Sequence, residues 1–177
     1  MSIVRRALEP HPESQPGPVR SLQVEAARQG GRLLLSYRLE GRLGELSIPP
    51  KGPAGRADDL WRHTCFEAFV RPPGDAAYWE FNLSPSCQWA AYGFSRYRQR
   101  GTDPKVEAPR IQVAATPQRL DLKASLDLTG LKGAWLVGVS AVIEGKEGGK
   151  SYWALRHPPG RPDFHHARGF VLTLDPP

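Results

Sequence analysis

The residues with chemistry to offer concentrate in one stretch, Leu60-Trp61-Arg62-His63-Thr64-Cys65-Phe66-Glu67-Ala68-Phe69-Val70. Read as a strand with a period of two, it puts Leu60, Thr64, Phe66, Ala68 and Val70 on one face, with Arg62 at the rim. Trp61, His63, Cys65, Glu67 and Phe69 then share the other. The first face reads as core. The second sets aromatic rings beside a carboxylate, an imidazole and a thiol. That mixture suits the floor of a ligand cleft, where flat apolar surfaces hold a ring and a few polar groups orient it. The same groups could serve the fold alone, with Glu67 and His63 paired to arginines or backbone of neighbouring strands.

Two further segments can add to that face. Tyr78 to Leu83 sends Trp79, Phe81 and Leu83 one way and Tyr78, Glu80 and Asn82 the other, and the strand after it offers Trp89 and Tyr92. If these strands are neighbours, Glu80 and Asn82 join Glu67 and Trp61 on one concave surface. Near the C-terminus, His157-Pro158-Pro159-Gly160-Arg161-Pro162-Asp163-Phe164-His165-His166 is a loop by its prolines. Loops carried by a rigid β scaffold are where binding groups collect. Two catalytic or metal readings are weaker. His63, Cys65 and Glu67 are suitable metal donors, but no second clustered segment accompanies them. Glu67 and Glu80 could be a glycosidase pair, yet paired carboxylates are common in β-sandwiches.

The elements that must position these groups are short strands. The chain has 177 residues, 18 of them glycine and 18 proline, with 40% hydrophobic and 24% charged residues. That composition describes one folded domain with little room for long helices. Eleven segments read as strands: Val19–Ala26, Leu33–Leu39, Leu43–Ile48, Leu60–Val70, Tyr78–Leu83, Gln88–Phe94, Ile111–Ala115, Leu120–Leu126, Trp135–Ile143, Ser151–Leu155 and Phe170–Leu174. The one helix candidate is the single turn Asp127–Leu131. Pro10, Pro12, Pro16 and Pro18 make residues 1–18 an extended N-terminal arm, with the domain over 19–177. The expected fold class is all-β: a jelly-roll or immunoglobulin-like antiparallel β-sandwich of ten or eleven strands.

Charge and localisation narrow the partners. The formal net charge is +6, and arginine outnumbers lysine 18 to 6. The arginines are scattered apart from Arg96-Tyr97-Arg98-Gln99-Arg100, which reads as a solvated surface without a nucleic-acid motif. The longest apolar run, Ala134 to Ile143, is too short to span a bilayer. Arg5 and Arg6 are not followed by an apolar stretch, so no secretory signal is read and a cytoplasmic protein is expected. Cys65 and Cys87 are then expected as free thiols.

Three blocks resemble the bacterial DOMON-like domain family: Leu60 to Phe69; Glu80-Phe81-Asn82-Leu83-Ser84-Pro85-Ser86-Cys87-Gln88-Trp89-Ala90-Ala91-Tyr92; and Ala154 to His157 through Asp163-Phe164-His165, with His11-Pro12 also fitting. The resemblance implies a jelly-roll-like sandwich related to haem- and sugar-binding DOMON domains and to family-nine carbohydrate-binding modules. It places Trp61 and Phe164 where two aromatics clamp a saccharide, with Glu67 and Asn82 near polar positions. Cys87 stands at a turn position where relatives carry glycine. The family's Met and His haem ligands are not matched, since Met1 is the only methionine, and a bis-His site from His63, His157, His165 or His166 has no supporting spacing.

The expectation is a non-catalytic module that binds a small ligand, a saccharide or similar cyclic molecule, through Trp61, His63, Glu67, Asn82, Trp89, His157, Phe164 and His165. No cofactor, metal, nucleic acid or membrane partner is expected, and the oligomeric state is left open. The alternatives are a structural or protein-interaction module whose concave face is filled and, third, a haem-binding domain.

Overall fold

The computed structural model describes residues 3–176. Thirteen strands are present among them: β1 (Ile3–Pro10), β2 (Val19–Gln29), β3 (Arg32–Gly41), β4 (Gly55–Arg56), β5 (Cys65–Arg71), β6 (Tyr78–Leu83), β7 (Gln88–Arg96), β8 (Gln99–Arg100), β9 (Arg110–Thr116), β10 (Arg119–Asp127), β11 (Trp135–Glu144), β12 (Lys150–Ala154) and β13 (Leu172–Leu174). Helix is confined to three 3-10 turns at Leu43–Glu45, Leu60–Arg62 and Ala167–Gly169. The Asp127–Leu131 segment is a turn instead, and Leu43–Ile48 holds a 3-10 turn followed by a single bridge from Leu46 to Gly145.

The strands follow one hydrogen-bonded path, β4-β7-β6-β5-β11-β12-β1-β2-β3-β10-β9, with β13 on β11 and β8 on β7. All pairings are antiparallel except the short β4–β7 contact. The path is open at its two ends, yet it curls over on itself. Tyr37 on β3 donates its hydroxyl to the Glu67 carbonyl on β5 at 2.8 Å, and its ring lies 5.0 Å from that of Phe66. Those strands are five places apart in the path, so only a folded-over sheet lets them touch.

The N-terminal segment therefore corrects the expectation of a Pro-rich arm. β1 is the strand at which the sheet turns over: Ile3 to Leu8 pair with β2, while Glu9 and Pro10 pair with β12. Pro10 is its last residue, so the missing N–H falls where pairing ends, and the other prolines lie in the turn to β2. Two separate sheets were expected; this strand joins them into one.

Both runs of the curled sheet bury their inner faces in a single core. Leu22, Val24, Leu33, Leu39, Leu120 and Leu122 from one run meet Phe66, Ala68, Phe81, Val139 and Trp153 from the other. The runs differ on their outer faces. β10 alternates buried and exposed residues, as expected for a sheet with one wet side. β5, by contrast, is buried at every position from Cys65 to Val70, and β11 is nearly so. Something covers the outside of β5, β6 and β11. It is the segment after β12, which lays Phe170 against Phe69, Tyr78 and Phe94. Gly138 permits this approach, since a Cβ there would sit 2.9 Å from the Gly169 carbonyl. Among the described residues no helix is long and apolar enough to cross a membrane.

The β6–β7 turn carries a local cost. Cys87 has φ +71°, a left-handed conformation costing about 1 kcal/mol for a residue with a Cβ. The Ser84–Gln88 backbone bond at 2.9 Å and the Cys87 N–H to Ser84 carbonyl bond at 3.0 Å hold it there. Both Cys65 and Cys87 are buried free thiols.

Candidate functional site

Strand register assembles the site. Residues directly opposite in an antiparallel ladder point to the same face. Glu67 faces Asn82 and Ser140, Glu80 faces Phe69 and Tyr92, Tyr78 faces Phe94, and Val142 faces Tyr152. These residues all lie on the outer face of the five-strand run β7-β6-β5-β11-β12. The C-terminal loop covers only part of that face. What remains open is a cleft of about 570 Å³, floored by Glu67, Glu80, Tyr92, Phe94, Val142 and Tyr152.

Two carboxyls on this floor make no ion pair with a lysine or arginine among the described residues. Glu67 is 3% and Glu80 6% exposed, on adjacent strands one step apart diagonally. Burial pushes the Glu67 carboxyl well above the usual carboxylate range, and the neighbouring Glu80 adds to the effect; the Ser140 hydroxyl, at 3.5 Å, opposes it only in part. Glu80 is raised by burial too, against the opposing pull of Asn82, Arg100 and Arg98. Asn82 donates to Glu80 Oε1 at 2.8 Å. Two acids so placed resist ionising together, which favours their neutral forms.

His165 closes one side. The Tyr78 oxygen accepts the Arg98 backbone N–H at 3.1 Å, which leaves its own proton to donate to His165 Nδ1 at 2.8 Å. The imidazole then carries its proton on Nε2, 3.7 Å from Glu80 Oε2. It stays neutral there: burial lowers its pKa to about 4, with the Arg98 charge contributing in the same direction.

The rim comes from three segments. Asp58, Asp59 and Trp61 precede β5, Arg98 and Arg100 sit on the β7–β8 hairpin, and Pro162, Phe164 and His165 follow β12. The Trp61 turn packs on β5, β6 and β7, whereas Phe164 lies 6.2 Å from the Tyr152 ring on β12. The two aromatics therefore approach the floor from different ends of the strand order. Arg98 is tied to Asp163 at 2.9 Å, and Arg100 to Asp103 at 2.7 Å while its guanidinium stacks 4.5 Å from Tyr92. Tyr92 in turn donates to Asp58 at 2.8 Å. Gly93 makes this hairpin possible, because Thr102 passes so close over β7 that a Cβ would meet its carbonyl at 1.9 Å.

Of the eight residues expected from sequence, the structure brings Trp61, Glu67, Phe164 and His165 into the cleft. The other four do other work. His63 is not on the strand face: the 3-10 turn Leu60–Arg62 ends at it, and its Nδ1 donates to Glu144 Oε2 at 2.8 Å, outside the cleft. Asn82 is fully buried on the same face, donating to Glu80 and accepting from the Cys65 thiol. Trp89 faces Leu83 across the ladder, so it packs against the core. His157 pins the loop to β1, its Nε2 donating to the Glu9 carbonyl at 2.8 Å and its ring edge-on to His11 at 4.9 Å. His166 accepts the Arg168 N–H. Among the described residues no group of three or more His, Cys, Asp or Glu is placed to hold a metal.

Sequence reasoning passed over Phe94, Tyr152, Arg98 and Arg100 as site residues. Period two carried past Tyr92 would have added Phe94. The two arginines are exposed, as the solvated-surface reading has it, and their stacking and pairing bring them to the rim as well.

Two solved structures share this architecture. A candidate carbohydrate-binding protein from Bacteroides uniformis superposes with a TM-score of 0.68 at 18% identity, covering 98% of this chain and 86% of that one. A family-nine carbohydrate-binding module from Caldicellulosiruptor kristjanssonii, solved with cellotriose, gives 0.62 at 8% identity, covering 98% and 82%. At such identities the likeness is one of fold. No protein-family model matches the chain, and no curated protein matches it.

Proposed function

We propose that this chain is a non-catalytic, DOMON-like module of jelly-roll type that binds a saccharide or similar cyclic ligand in the cleft between Trp61 and Phe164. The observation that carries the reading is the open cleft itself: about 570 Å³ of space over a rigid strand floor, with Trp61 48% exposed at its rim. A half-bare tryptophan beside buried polar groups is what a ring-shaped ligand with an apolar face and polar edge requires. The cellotriose complex of the family-nine neighbour supports the choice of saccharide. A binding role is favoured over hydrolysis because Glu67 and Glu80 rise from adjacent strands of one floor, so both would meet the same side of a bound ring. Glycoside hydrolysis needs two carboxyls flanking the scissile bond. Trp61, Glu67, Phe164 and His165 are the proposed contacts.

Titration of the isotopically labelled protein with cello-oligosaccharides tests this directly. Chemical-shift changes should cluster at Trp61, Tyr92, Tyr152 and Phe164. Saturable binding whose shifts map to the β2-β3-β10 face, or no binding to any glycan on a broad array, would remove the proposal.

A further inference from the structure

The sheet floor poses a question that a neutral sugar does not answer. Glu67 and Glu80 stand together, and among the described residues only the Ser140 hydroxyl, at 3.5 Å, reaches the Glu67 carboxylate. Glu80 has Asn82 on one oxygen and the Nε2 edge of His165 at 3.7 Å from the other. The two arginines of the cleft are committed elsewhere, Arg98 to Asp163 and Arg100 to Asp103. Among the described residues no lysine or arginine lies within ion-pair distance of either carboxyl, so ionising both in this buried place is costly. Replacing either residue by a neutral one would relieve it, so the pair reads as waiting for a partner.

We infer that the cleft selects a saccharide bearing a free, protonated amine, an amino sugar, with its ammonium seated between Glu67 and Glu80. The inference rests on the saccharide reading above and deepens it. An ammonium brings three donors and the missing positive charge, which together satisfy acceptors on two carboxylates. Tyr92, Tyr152, Trp61 and Phe164 add aromatic surface around the same space, and rings attract a cation through their faces. An acidic sugar would bring its carboxylate toward two more. An N-acetylated sugar would place a neutral amide and a methyl group where the charge is needed. Proton balance is simple: seating the ammonium favours ionisation of both carboxyls, and any proton they carried leaves to solvent.

The test compares three disaccharides of one shape on the unaltered protein: the β-1,4-linked glucosamine dimer, its N-acetylated counterpart and cellobiose, with putrescine as a diamine without a sugar. Calorimetry at about pH 6 keeps the amines protonated. The glucosamine dimer should bind roughly tenfold or more tighter than either analogue. Glu67→Gln, checked by melting to be folded, should erase that advantage, and Glu80→Gln serves if it does not fold. Equal or tighter binding of cellobiose or the N-acetylated dimer overturns the amine inference while leaving saccharide binding in place. Putrescine binding as tightly as the glucosamine dimer overturns it from the other side, by showing that the sugar is irrelevant. If nothing in the series binds, and no glycan binds elsewhere, the saccharide reading itself falls.

Discussion

Replacing Trp61 with alanine separates a binding residue from a structural one. The side chain sits on a three-residue 3-10 turn and is 48% exposed. A tryptophan presents about 250 Å², so roughly 120 Å² is open to water, and a pyranose lying on one face would cover about half of that. At about 25 cal/mol/Å² the covered 60 Å² or so corresponds to about 1.5 kcal/mol, or about tenfold in affinity. The effect on folding should be smaller. Trp61 lies outside the shared core, its neighbour Arg62 stacks on it at 5.3 Å from solvent, and surface changes of this kind cost within about 1 kcal/mol. For a chain of this length that is about 3 °C or less in Tm. Removing the fully buried Trp135 would instead cost about 3–5 kcal/mol. Isothermal titration and thermal melting of the same preparation give both quantities. A Tm loss near 10 °C, or an affinity that does not change, would refute the assignment of Trp61 as an anchor.

Other substitutions probe the floor and its frame. Gly93→Ala should destabilise by about 2–3 kcal/mol, because the new Cβ meets the Thr102 carbonyl rather than a flexible side chain; denaturant unfolding measures it, and ligand affinity should fall with it as the Arg100 hairpin shifts. Glu67→Gln should melt above the parent at pH 8, with the gap closing toward pH 4. The raised folded-state pKa means that stability is full while the acid is protonated and is lost as pH rises above the unfolded value, a loss glutamine does not suffer. His165→Gln should flatten the acid limb. A histidine depressed to about 4 keeps its contribution above its unfolded value near 6.5 and loses it as pH falls from there, so a parent and variant with parallel acid melting curves would contradict its neutral, buried role.

Legibility from sequence followed the continuity of the strands. Glu67 and Phe69 were placed correctly because β5 runs without interruption from Cys65, where alternation holds. The same alternation, carried back to Trp61 and His63, failed at Asp59, whose φ of +60° opens a 3-10 turn. Trp61 reaches the cleft for a different reason from the one its spacing suggested, while His63 swings to Glu144. The N-terminal strand is not legible because Ile3 to Leu8 lacks the apolar alternation of a half-buried strand and four prolines follow within residues 10–18; its pairing to β2 and β12 is set by tertiary contacts. Phe164, His165 and the arginine hairpin depend on contacts between segments 65 and more residues apart, such as Tyr97 and Arg98 with Asp163. Nothing in local periodicity encodes those.

The information about function lay in a conflict between two patterns. β5, β6 and β11 are buried on both sides, and a strand of that kind ordinarily reads as a run of apolar residues. Here Glu67 and Glu80 interrupt the run, on the outer face, beside the smaller apolar cluster of Phe69, Tyr78, Phe94 and Phe170. A carboxylate introduced at such a place lowers stability, so its presence marks a surface shaped by something other than folding. The neighbouring positions agree: Asn82 and Tyr78 spend their hydrogen bonds on orienting Glu80 and His165, and the β7–β8 hairpin is held down by a glycine contact so that Arg100 can stack on Tyr92. Glu67 accepts from Ser140 on β11 and Glu80 accepts from Asn82 on its own strand, so the two acids are supported polar positions rather than bare defects. On that distinction rests the ligand chemistry proposed above for this chain's own residues.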